Sequence, residues 1–237
     1  MPGWRRIKKN LADKSLIEEF TSSDDSDEPE LLANVEQVAG PELNRDQANA
    51  LQAIRAQAGF KVSLIDGITG SGKTEIYLHL IRDMIDAGHQ VLVLVPEIGL
   101  TPQLVERFRT RLGLEPILLH SALTDTARLA AWRAARRGSA QLLLGTRSAV
   151  FVPMKTPGLI IVDEEHDSSL KQQEGLRYSA RDLAIVRGKK QCIPVVLGSA
   201  TPSLESLQRC REDAYQHLKL PTRAGKAVPP LLRLVDL

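Results

Sequence analysis

The sequence predicts an α/β domain with a mostly parallel sheet covered by helices on both faces. Three observations predict it. Short runs rich in Val, Ile and Leu recur along the chain, as strands buried on both faces require. Amphipathic segments bounded by helix-start and helix-stop residues separate those runs, giving a repeated βα pattern. A glycine-rich stretch, "GITGSGKT", joins the first run to a long helix, at the kind of βα junction where parallel sheets hold their ligands.

In chain order, a helix is predicted from about Asn44, where "NRDQANALQAIRAQAG" offers Asn44 as N-cap and Gly59 as terminator. The runs "KVSLIDG", "QVLVLVP", "PILLH", "QLLLG", "LIIVD" and "IPVVLG" read as strands. Of the helices between them, "KTEIYLHLIRDMIDAG" carries Ile76, Leu80, Ile81 and Met84 on one face. "TPQLVERFRTRLG" begins with Thr before Pro, and "TDTARLAAWRAARRG" ends at Gly138.

Composition sets bounds on function. The 237 residues are 43% hydrophobic and 25% charged, ordinary values for a globular domain. No apolar run reaches about 18 residues and the N-terminus lacks a secretory apolar core, so the expectation is a cytoplasmic protein with no membrane partner. Cys192 and Cys210 have no companions at metal-ligand spacing and read as packed thiols, not as a zinc site or disulfide framework. Residues 1–40 hold 5 basic and 9 acidic residues, so a total formal charge of +2 leaves +6 on residues 41–237. That surplus permits a polyanionic partner without requiring one. "TSSDDSDEPE" is too polar to bury a core. Residues 1–41 are therefore expected to be a flexible acidic linker, 42–220 a globular lobe, and the Pro-rich 221–237 a linker onward, as in a piece of a larger protein.

"GITGSGKT" fits G-x-x-x-x-G-K-[ST] between a strand and a helix, the context a phosphate-binding loop requires. Gly67, Gly70 and Gly72 let backbone N–H groups turn inward, with Thr69 and Ser71 between them in the same cradle. Lys73 can reach outer phosphates at a helix N-terminus, and Thr74 offers its hydroxyl to magnesium. The matching carboxylate is Asp163, directly after "LIIV", which would hold Mg²⁺, and Glu164 would orient the attacking water. A His and carboxylate metal-hydrolase centre would need converging ligands. His79, His89, His120, His166 and His217 do not cluster in sequence.

"GITGSGKTE", "LVPEIGLTPQ", "GTRSA", "VDEEHD" and "GSATPS", in that order, resemble the first, RecA-like motor lobe of a superfamily 2 helicase. "DEEHD", "KQQEG" and "RYSARDLAIVR" look like the PriA family of bacterial replication-restart helicases, or primosomal protein N′. The resemblance spans about residues 42–237. It implies ATP and Mg²⁺ as cofactors, and an ATP-driven 3′–5′ DNA helicase that translocates on single-stranded DNA and serves replication restart. The implied partners are single-stranded and forked DNA, other primosome or single-strand-binding proteins, and a second helicase lobe of the same polypeptide. Without that lobe the chain is expected to bind nucleotide weakly and to hydrolyse it poorly. RNA helicases, double-stranded DNA translocases and a non-hydrolysing nucleotide switch share the phosphate loop and remain open as alternatives.

Residue by residue, the resemblance makes Gln47 an adenine reader and adds His166 to the catalytic group of Lys73, Asp163 and Glu164. Thr101, Thr146, Arg147 and Ser148 would contact single-stranded DNA, although Thr101 is also placed to cap a helix. Ser199 and Thr201 would couple nucleotide state to DNA grip through His166 or Glu165, while Thr201 or Ser203 could cap a helix with Pro202 in its first turn. One departure stands out. Leu170 and Leu176 occupy positions where the family carries DNA-sensing aromatic rings, leaving Tyr178, with Arg177 and Lys171 as substitutes for stacking.

Overall fold

Each apolar run read as a strand pairs with its neighbours in a single parallel sheet. The computed structural model describes residue 35 and residues 37–224, so most of the expected linker 1–41 and most of 221–237 lie outside the described residues. The strands are β1 (Val62–Gly67), β2 (Gln90–Leu94), β3 (Ile117–Leu119), β4 (Leu142–Gly145), β5 (Pro157–Val162), β8 (Val195–Ser199) and β9 (Gln216–Leu220). Their spatial order is β3-β4-β2-β5-β8-β1-β9, and all neighbours run parallel. A two-stranded antiparallel hairpin of β6 (Lys171–Gln172) and β7 (Tyr178–Ser179) stands apart from this sheet.

The helices are α1 (Arg45–Arg55), α2 (Lys73–Asp86), α3 (Pro102–Leu112), α4 (Asp125–Arg137), α5 (Ala180–Gln191) and α6 (Leu204–Arg211). Strand alternation distributes the core between two layers. Leu64, Leu92, Ile160 and Leu197 join a cluster with Ala131 and Ala135 of α4 and Ala184 of α5. Ile65, Val93, Ile161 and Val196 join another with Leu51 of α1, Ile81 of α2 and Phe108 of α3. Successive strand residues point to opposite faces, so a sheet covered on both sides needs unbroken apolar runs. All five residues of β2 are buried for this reason.

Local chemistry sets the helix ends. Asn44 and Gln47 form a reciprocal capping box at α1, which stops at Arg55, four residues before Gly59. Thr101 and Thr124 cap α3 and α4, which end at the left-handed glycines Gly113 and Gly138. Ser203 caps α6, so Pro202 precedes the cap and does not lie in the first turn. The sequence carries no strand signal for β9, because this edge strand has exposed and half-buried residues in no regular alternation and ends with a single buried one, Leu220. No helix among the described residues is long and apolar enough to cross a membrane.

Because every strand of the main sheet points the same way, the segments after β1, β2, β4, β5 and β8 emerge on one edge. That edge gathers the motifs.

Candidate functional site

The loop after β1 curls as its glycines allow. Gly70 and Gly72 adopt φ of 80° and 83°, a left-handed conformation that side chains resist. A Cβ on Gly72 would also overlap the Gln47 amide. Gln47 is 2% exposed; its Nε2 donates to the Ser71 carbonyl at 2.7 Å and its Oε1 accepts from the Asn44 N–H at 2.9 Å. The residue predicted to read adenine thus ties the α1 cap to the phosphate loop, with one N–H and one lone pair left over. Thr69 and Gly70 form an exposed turn, Gly67 closes β1 in the interior, and Thr74 is half-buried in the first turn of α2.

Lys73 begins α2 and is 8% exposed. Its ammonium donates to the Gly67 carbonyl at 3.0 Å and lies 3.4 Å from Glu164 Oε1. The Ser71 hydroxyl is buried with no hydrogen-bond partner among the described residues. An orphaned hydroxyl, inward-curled backbone and a buried lysine fit a polyphosphate, which accepts hydrogen bonds from all three.

The tip of β5 supplies the facing groups. The Asp163 N–H donates to Leu94 O at 2.8 Å, and its Oδ1 accepts from the Tyr77 hydroxyl at 2.9 Å. Burial and then the neighbouring Glu164 charge raise the Asp163 carboxyl above its ordinary range, while Tyr77, Lys73 and the Glu164 backbone oppose that shift. Burial, followed by Asp163, pushes the Tyr77 phenol well up, so it remains a donor. Glu164 adopts φ of 45°, a strained conformation for a residue with a Cβ and one that clusters at functional sites. Its Oε2 lies 3.6 Å from His166 Nδ1 and 3.5 Å from the Ala200 N–H. No group of three His, Cys, Asp or Glu among the described residues could hold a metal alone. Thr74 and Asp163 suit magnesium, which keeps water and phosphate ligands and needs few protein ones.

His166 and Glu165 tie this tip to the segment after β8 in separate ways. The His166 ring contacts Ser199 Oγ at 2.7 Å through Nδ1 and Thr201 Oγ1 at 3.2 Å through Nε2. Thr201 N–H also donates to Ser199 Oγ at 3.0 Å. Glu165 accepts from the Ser203 N–H at 2.7 Å, and from Ser203 Oγ, Ser206 Oγ and Arg181 Nη1 at 3.0 Å each. The structure therefore brings together Gln47, the phosphate loop, Asp163, Glu164, His166, Ser199 and Thr201.

The residues predicted to touch DNA lie over neighbouring strands. Thr101 Oγ1 accepts from Leu104 N–H at 3.2 Å as the α3 cap. Thr146 is 4% exposed. Thr146, Arg147 and Ser148 line a 410 Å³ cleft with Arg128, Trp132, Phe151 and Tyr178. One Arg147 nitrogen, Nη1, donates to the carbonyls of Ser169 at 3.2 Å and Lys171 at 3.0 Å, leaving its other nitrogens for a further acceptor. Leu170 is a core residue and Leu176 is exposed. The rings in this region are Trp132, Phe151 and Tyr178, the last two in edge contact at 5.0 Å. Trp132 and Phe151 escaped the sequence reading because they belong to other elements. Ser199 and Thr201 meet His166 and not Glu165, which bonds Ser203, Ser206 and Arg181 instead. Tyr77 and Arg181 escaped the sequence reading because a buried polar contact has no period; a glycine inside a strand, Gly198, was the available signal for close approach.

The DEAD/DEAH box helicase profile matches residues 44–210, a match that carries nucleotide binding with it. The replication restart protein PriA of Haemophilus influenzae is 54% identical over 195 residues, covering 82% of this chain and 27% of that protein. PriA of Bacillus subtilis is 45% identical over 198 residues, 82% of this chain and 25% of that protein. The chain thus spans about a quarter of the length of these curated relatives. Among solved structures, RecG bound to a three-way DNA junction aligns with a TM-score of 0.55 at 22% identity, over 81% of this chain and 25% of that one. The Hef helicase domain of Pyrococcus furiosus aligns with a TM-score of 0.54 at 21% identity, over 76% and 38%. These likenesses, with the parallel sheet, make the fold RecA-like α/β.

Proposed function

The chain belongs to the DEAD/DEAH box helicase family, and from that premise we propose that it is the ATP-binding first motor lobe of a 3′–5′ DNA helicase acting in replication restart. The similarity to PriA supports the cellular role, and the site supports the chemistry. The observation that carries the reading is the meeting of Lys73, Glu164 and the Tyr77-bound Asp163 at one edge of the sheet.

ATP and magnesium, when bound, supply the phosphoryl group and the charge neutralisation for its transfer to water. Lys73 would exchange its contacts with Gly67 and Glu164 for phosphate oxygens, and Thr74 and Asp163 would hold the metal. Glu164, released from Lys73, would orient water and accept its proton. His166, bonded to Ser199 and Thr201, would pass the state of that site to the segment after β8. Thr101, Thr146, Arg147 and Ser148 would hold the phosphates of single-stranded or forked DNA. The full cycle would require a second lobe of the same polypeptide, with primosome or single-strand-binding proteins as further partners in a bacterial cytoplasm.

The test is Glu164→Gln in the complete polypeptide that carries this chain. DNA-stimulated turnover should fall about a hundredfold or more, while ATP binding survives. Unchanged turnover refutes the assignment.

A further inference from the structure

We propose that Tyr77 is a positioning residue for Asp163, fixing the carboxylate that holds magnesium; the inference rests on the nucleotide-site reading above. Tyr77 lies three residues after Thr74 on α2, so one helical turn carries both the metal-facing hydroxyl and the phenol. The ring is 1% exposed, and its hydroxyl donates to Asp163 Oδ1 at 2.9 Å. A buried phenol needs a hydrogen-bond partner, and this one takes a carboxylate that the Glu164 backbone holds from another side.

Gly198 of β8 shows how closely the fold accommodates this contact. A Cβ there would fall on the Tyr77 hydroxyl and lie 3.2 Å from Asp163 Oδ1. Gly198 does not have the left-handed φ that would itself call for glycine, so close approach explains the missing side chain. Two residues from separate elements, Tyr77 and Gly198, are thus specialised for one hydrogen bond. A phenylalanine would fill the same core space, so packing alone does not account for the hydroxyl. Groups that orient a metal-holding side chain typically influence metal affinity about 10–100-fold.

The experiment measures the Kd for AMP-PNP with excess magnesium and with EDTA, the ratio being the gain from metal. Tyr77→Phe should leave the EDTA value within about twofold of wild type and reduce the metal gain about tenfold or more. In an Asp163→Asn background, Tyr77→Phe should change the gain no further, since the hydroxyl acts through that carboxylate. An unchanged gain in folded Tyr77→Phe, or full additivity with Asp163→Asn, overturns the proposal. A wild-type chain that binds AMP-PNP without any metal gain overturns the magnesium site itself, which separates the two failures.

Discussion

Glu165 should prove a stability residue of unusual weight for a position inside a motor motif. Its side chain is fully buried, with 0% exposure, and accepts from Arg181 Nη1, the Ser203 N–H and the hydroxyls of Ser203 and Ser206. Glu165→Ala removes the partner of a guanidinium whose own side chain is only 10% exposed. Breaking a buried pair from one side costs about 3–5 kcal/mol, because the remaining charge is left uncompensated. Arg181 keeps Asp182 at 2.9 Å and Ser203 Oγ at 2.8 Å, so the low end applies, about 3 kcal/mol. For a chain of this size that corresponds to a fall of roughly 6–12 °C in Tm. Glu165→Gln, which keeps an acceptor oxygen while losing the charge, should cost less than half as much. Calorimetric or circular-dichroism melts of the three proteins measure the series. A loss below about 1 kcal/mol for Glu165→Ala would show that Asp182 and solvent suffice for Arg181, and would refute the accounting.

Lys73→Ala should weaken ATP binding about tenfold or more by calorimetry, since the ammonium is the cation poised over the loop; equal affinity contradicts the phosphate role. Gly72→Ala should cost about 1–2 kcal/mol from its left-handed φ and also displace Gln47 from the loop, so melting temperature and nucleotide affinity should fall together. Arg147→Ala should flatten the salt dependence of single-strand affinity by about 0.7 in log–log slope. The same change should speed hydrogen exchange across residues 168–172, where Arg147 holds the Ser169 and Lys171 carbonyls; faster exchange with an unaltered slope assigns Arg147 to the loop and not to DNA. Iodoacetamide should label exposed Cys192 before Cys210. Burial, followed by Asp66 and Glu165, raises the Cys210 thiol, so less of it is thiolate near neutral pH. The gap, read by peptide mass spectrometry, should narrow as pH rises through the Cys210 range.

Patterns that repeat or carry obligatory chemistry were legible in the sequence. The two-layer core follows from strand runs such as "VLVL" and "LIIV", because a strand buried on both faces has no room for polar residues. The phosphate loop was legible because tight backbone curvature demands glycine at Gly70 and Gly72, whose φ values are positive. Helix ends at Asn44, Thr101 and Gly138 follow local hydrogen bonding and φ, which a few neighbouring residues settle.

Only the tertiary structure decided which distant residues share a hydrogen bond. Nothing in the sequence around Tyr77 singles it out, yet its hydroxyl meets a carboxylate 86 positions later. Glu165 and Glu164 are adjacent in sequence and face different surroundings, one sealed against Arg181 and α6, the other beside Lys73. The rings around the cleft at Arg147 come from Trp132, Phe151 and Tyr178, on three elements, and of these Tyr178 alone belongs to the segment where Leu170 had to pack into the core. Composition and periodicity report what a residue buries; which partner satisfies a buried polar group depends on how strands are ordered in the sheet, and that order is fixed only when the chain closes on itself.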